Sequence, residues 1–192
     1  MFWAVHRLGG AISPANPAYA TSELEYQLKD SEATVLVTSS NLLPTALQAI
    51  DKLPAIPANR VYVIDGKRHK SQKTIQQLID AGRQSKSPLG PLQLAEGEGK
   101  KRLAFLCYSS GTTGLPKGVM ISHYNVISNV LQLTPHFKSE NNKRDVTLAL
   151  LPLYHIYGKI WFESPLISRV GVCPSLGTVY WEYAHYDLGF RL

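Results

Sequence analysis

LCYSSGTTGLPKGVMISHYNV, residues 106–126, decides how this chain reads. An apolar run stops at a burst of small hydroxylated residues and glycines, a lysine follows a proline, and a second apolar segment begins. Gly111 and Gly114 free the backbone to adopt positive φ and turn successive N–H groups toward one point. Ser109, Ser110, Thr112 and Thr113 add four hydroxyl donors, and Lys117 supplies one compact positive charge. Convergent N–H groups, hydroxyls and a lysine make a cradle for phosphate oxygens. The loop follows a strand-like run, which is where α/β sheets take their ligands.

The spacing excludes two familiar phosphate motifs. A Walker loop needs four residues between its glycines and a Ser or Thr directly after the lysine. Here two residues separate Gly111 from Gly114, and Gly118 follows Lys117. The G-x-G-x-x-G dinucleotide fingerprint is absent as well. A solvated hydroxyl-rich surface loop is the plain alternative. It gives no reason to combine two glycines, four hydroxyls and a proline-set lysine between apolar strands.

Working outward, Met1–Leu8 reads as the last turns of a helix that Gly9-Gly10 can end. Pro14 and Pro17 break a short extended segment. Ser22-Glu23-Leu24-Glu25 matches a capping box opening a helix toward Lys29. ATVLVTS (33–39) reads as a buried strand, followed by a helix around 42–50, the strand VYVID (61–65) and a helix near 74–81. Residues 82–100, rich in Gly, Pro, Ser and charge, read as a surface connection. RLAFLCY (102–108), GVMIS (118–122) and VTLALLP (146–152) are further strands, and Ser122 can cap a helix over 124–133. Strands alternating with helices predict an α/β fold with a largely parallel sheet.

Composition narrows the class. The 192 residues are 44% hydrophobic and 18% charged, as in a globular rather than a disordered protein. The net charge of +6 is spread along the chain, with short clusters at Lys67–Lys70 and Lys100–Arg102. Neither carries interleaved aromatics or a helical stripe, so nucleic acid is not an expected partner. No run reaches the ~18 apolar residues of a membrane-spanning helix. Cys107 and Cys173 are too few for a disulfide framework. No His, Cys or carboxylate cluster has metal-ligand spacing, so no protein metal site is expected.

At this point a family comes into view. SSGTTGLPKGV (109–119) resembles the phosphate-binding signature of the adenylate-forming acyl-CoA synthetase superfamily, the AMP-binding enzymes. GGAISPANPAYATSELEYQLKDSEATVLVT (9–38) resembles the upstream part of that family's large N-terminal domain, and LPLYHIYG (151–158) its next core motif. The 4-coumarate–CoA ligase-like enzymes are the most similar in flavour. The resemblance implies a ligase with ATP, Mg²⁺ and coenzyme A as substrates and cofactors. The family joins a carboxylate to the α-phosphate of Mg-ATP, releases pyrophosphate, and passes the acyl group to the thiol of coenzyme A. It implies that Ser109, Ser110, Gly111, Thr112, Thr113, Gly114 and Lys117 hold the ATP phosphates. His155 would lie beside the carboxylate and adenylate, and Tyr157 would line the acyl pocket. A packed core histidine is the plain alternative for His155, as it is for His123.

The resemblance covers residues 1–158, read as part of an AMP-binding domain. Residues 159–192 read as a divergent tail, and the family's small lysine-bearing C-terminal domain is not recognisable. The chain alone is therefore expected to lack turnover. The alternative is a non-catalytic nucleotide-binding or regulatory fragment, pairing with a full-length relative. The expected compartment is the cytoplasm, with the peroxisome open to a full-length form.

Overall fold

The structure is a computed structural model that describes residues 1–66, 71–87, 89–109, 114–133, 146–149, 152, 154–158 and 171–174. The basic cluster 67–70, most of the glycine-rich loop (110–113) and the aromatic tail 175–192 lie outside the described residues. The chain divides into two units, Met1–Ser128 and Asn129–Leu192.

In the first unit, helix α1 (Phe2–Arg7) ends where Gly9 takes φ +80. That left-handed backbone disfavours any side chain there, and a Cβ would also make the exposed Leu92 Cδ2, 2.7 Å away, move aside. Helix α2 (Thr21–Asp30) has its N-cap two residues before the expected Ser22. Ala20 is its N-cap, its N–H donates to Glu23 Oε2 at 2.8 Å, and Ser22 lies inside the first turn. Glu23 thus supplies the side-chain half of a box whose other half an alanine cannot make.

The expected strand over 33–39 contracts to β1 (Leu36–Thr38), which is half-buried, with Val35 exposed. It pairs in parallel with β2 (Val61–Val63), which pairs in turn with β3 (Lys73–Thr74). The order β1-β2-β3 explains the burial. The central strand places Val61 and Val63 fully inside, whereas β1 lies at an edge. Helix α3 (Leu43–Ile50) covers this sheet and buries Leu43, Ala46, Ala49 and Ile50. Leu43, Ala49 and Ile50, with Leu28 of α2, Ile56, Val61 and Val63, form the main core. Each fully buried Val or Ile contributes about 1.5–3 kcal/mol of apolar transfer. Helix α4 (Ile75–Arg83) begins at Thr74, whose hydroxyl accepts from the Gln77 N–H. Helix α4 runs two residues into the expected surface connection 82–100, which ends in the short helix α5 (Glu98–Lys101).

Strands β4 (Leu103–Ser109) and β5 (Lys117–Ser122) form an antiparallel hairpin rather than joining a parallel sheet. Ile12 bridges Phe105 on the other side of β4, in parallel. Ala104, Phe105 and Cys107 of β4 are buried. Helix α6 (His123–Leu133) starts as the sequence predicts. Ser122 Oγ accepts from the Asn125 N–H at 3.2 Å, and Asn125 Oδ1 accepts from the Ser122 N–H at 2.9 Å. In the second unit, β6 (Val146–Ala149) pairs in parallel with β7 (Gly171–Pro174).

Candidate functional site

The hairpin places the two ends of the glycine-rich loop. Ser109 is the last residue of β4, Lys117 the first of β5, and they face each other across the ladder. Both are exposed. A hydroxyl and an ammonium therefore stand together where the loop leaves and rejoins the hairpin. Gly114 takes φ +134, a conformation an L side chain rarely adopts, and its surroundings are open. Ser110, Gly111, Thr112 and Thr113 lie outside the described residues.

Gly118, which the spacing argument singled out against a Walker loop, has a local reason. It lies opposite Tyr108 in the ladder. A Cβ at Gly118 would come within 3.3 Å of Tyr108 Cζ and 3.1 Å of Leu106 Cδ1. Glycine lets the Tyr108 ring lie against the strand.

Three side chains that sequence reasoning left unassigned surround the hairpin's open end. Tyr26 of α2 donates its hydroxyl to the Pro116 carbonyl at 3.0 Å. Tyr108 donates its hydroxyl to Asp30 Oδ2 at 2.5 Å. The two tyrosine rings meet edge to face, with centroids 6.4 Å apart. Desolvation, then the bond to Asp30, holds the Tyr108 phenol well above its ordinary pKa. The available signal was the four-residue spacing of Tyr26 and Asp30 on one helix face. Nothing local in the sequence says what that face meets.

His155 and Tyr157 lie in the second unit, at a turn entering residues 156–158. Both are exposed, Tyr157 to 57%. The His155 N–H donates to the Pro152 carbonyl at 3.0 Å, and its Nδ1 accepts from the Tyr157 N–H at 3.3 Å. An exposed His155 is not the packed core histidine of the plain alternative.

His123 fits that alternative in its packing but not in its hydrogen bonding. It opens α6 half-buried, its ring edge to face with His6 at 5.0 Å. Its Nε2 is buried without a hydrogen-bond partner among the described residues. Desolvation, then the charge of Arg102, lowers its pKa. Among the described residues no group of three or more His, Cys, Asp or Glu is placed to hold a metal ion. The donors present, hydroxyl and ammonium at a glycine-rich loop, suit an anion.

Comparison with known proteins identifies the family. Residues 1–177 match the family described as AMP-binding enzyme. The chain is 34% identical over 180 residues to acyl-CoA ligase AFT1-1 of Alternaria alternata, covering 91% of this chain and 31% of that protein. It is 33% identical over 165 residues to peroxisomal OPC-8:0-CoA ligase 1 of Arabidopsis thaliana, covering 86% of this chain and 28% of that one. Its fold matches ATP-bound MatB from Rhodopseudomonas palustris with a TM-score of 0.69 at 29% identity, covering 91% of this chain and 32% of that one. The chain thus spans about a third of the length of the relatives it matches. With a family match over nearly all of its length, the chain belongs to the AMP-binding enzymes.

Proposed function

We propose that this chain carries the nucleotide-phosphate site of an acyl- or aryl-CoA ligase. In that reaction a small-molecule carboxylate attacks the α-phosphate of Mg-ATP, pyrophosphate leaves, and an acyl-adenylate forms. The thiol of coenzyme A then displaces AMP to give the thioester. Ser109, Ser110, Gly111, Thr112, Thr113, Gly114 and Lys117 hold the β- and γ-phosphates and offset the charge that builds on departing pyrophosphate. Mg²⁺ arrives with the nucleotide. His155 stands on the carboxylate and adenylate side, and Tyr157 forms part of the acyl pocket wall.

The observation that carries this reading is the pairing of Ser109 with Lys117 at the open end of the hairpin. Support for ATP comes from the AMP-binding family match and from the ATP-bound relative of the same fold. The residues assigned supply no contacts to adenine or ribose and no group for the thioester step. We propose that the 192-residue chain by itself binds nucleotide without turnover. We place the ligase in the cytoplasm, with the peroxisome as the alternative that the plant relative's name supports. Among the described residues no helix is long and apolar enough to cross a membrane.

Carboxylate-dependent exchange of pyrophosphate into ATP tests the reading in the protein that carries this chain. Lys117→Ala should lower the exchange rate about 100-fold or more, as removing one preorganised transition-state donor does. An unchanged rate would sink the assignment of the loop.

A further inference from the structure

Tyr26 and Asp30 stand one turn apart on α2, and each reaches one end of the loop 109–117. Asp30 holds Tyr108, the residue just before Ser109. Tyr26 holds the carbonyl of Pro116, the residue just before Lys117. The Pro116 carbonyl and the Lys117 N–H belong to one planar peptide unit. A hydrogen bond on that oxygen therefore fixes the plane from which the Lys117 backbone departs. We propose that Tyr26 is a positioning residue for phosphate binding, orienting Lys117 through the Pro116 carbonyl, with Asp30 and Tyr108 fixing the other end of the loop.

The helix is suited to be the reference. Its next two residues, Gln27 and Leu28, are buried, and Leu28 is part of the main core. Gln27 also donates to Ser13 Oγ at 2.9 Å and to the Pro14 carbonyl at 3.2 Å. The clamp thus ties the exposed end of a two-stranded hairpin to the core. Tyr26 meets no phosphate itself; its effect passes through Lys117.

The inference rests on the reading of the loop as a phosphate site, and its test separates the two. Affinities for Mg-ATP and for AMP are measured on the full chain as wild type, Tyr26→Phe, Lys117→Ala and the double variant. Phenylalanine keeps the ring against Tyr108 and removes only the hydroxyl. Tyr26→Phe should weaken Mg-ATP binding about threefold to tenfold, the size of one net hydrogen bond. AMP, which lacks the phosphates that Lys117 meets, should bind unchanged. The double variant should match Lys117→Ala alone, because Tyr26 acts through the lysine. Asp30→Asn should weaken Mg-ATP in the same selective way. Equal loss of ATP and AMP with Tyr26→Phe would show a merely structural role and overturn the proposal. So would unchanged ATP binding in Tyr26→Phe beside a clear loss in Lys117→Ala. If Lys117→Ala binds Mg-ATP like the wild type, or the wild type binds none, the phosphate reading itself fails.

Discussion

At the scale of single residues, His123 carries a pH prediction. Its pKa in the fold lies below the ordinary value near 6.5, because burial and Arg102 disfavour the imidazolium. The unfolded chain therefore takes up a proton on acidification before the folded chain does. Stability falls as the pH drops through about 6.5, and the loss levels off once the folded ring also protonates. His123→Phe keeps a ring beside His6 and removes the titration. Its melting temperature should fall less than the wild type's between pH 7.5 and 5.5; identical pH slopes would contradict the assignment. Tyr108 works in the opposite direction. Its raised pKa keeps the phenol protonated in the fold when the unfolded chain begins to ionise near pH 10. The clamp on Asp30 therefore contributes stability that is lost on strong alkalinisation.

Among the elements, α4 offers the cleanest energetic test. Thr74 and Gln77 satisfy each other's backbone N–H groups, at 3.1 and 2.8 Å, and no residue of α4 is buried. With so little packing, the helix depends on its cap. Thr74→Ala should cost about 1 kcal/mol in denaturant unfolding; an unchanged midpoint would show that α4 is held by something other than its cap. The elements also show what could be read in advance. Gly9 and Ser122 act within a few residues, so the end of α1 and the start of α6 were legible. The N-cap of α2 was two residues out, Ala20 in place of Ser22, because Glu23 reaches a backbone N–H that any residue can supply. The half-burial of β1 was not legible at all. A β-branched run looks alike at the edge and at the centre of a sheet, and the order β1-β2-β3 decides which it is.

For the whole molecule, the proposed phosphate cradle could be read at all because its donors are contiguous in the chain. The clamp behind it was hidden, since Tyr26 and Pro116 are 90 residues apart and meet only when α2 comes against the hairpin. A ligand loop read from its own residues is therefore half of the site; the other half is the scaffold that fixes its ends. The measurement that tests the central claim most directly is amine-reactive labelling of every lysine, read by mass spectrometry, with and without Mg-ATP. Lys117 is exposed, and so is reactive in the free protein. The account predicts that Mg-ATP protects Lys117 several-fold while exposed lysines away from the loop, such as Lys29 and Lys52, label as before. Labelling of Lys117 at the same rate in saturating Mg-ATP would contradict it.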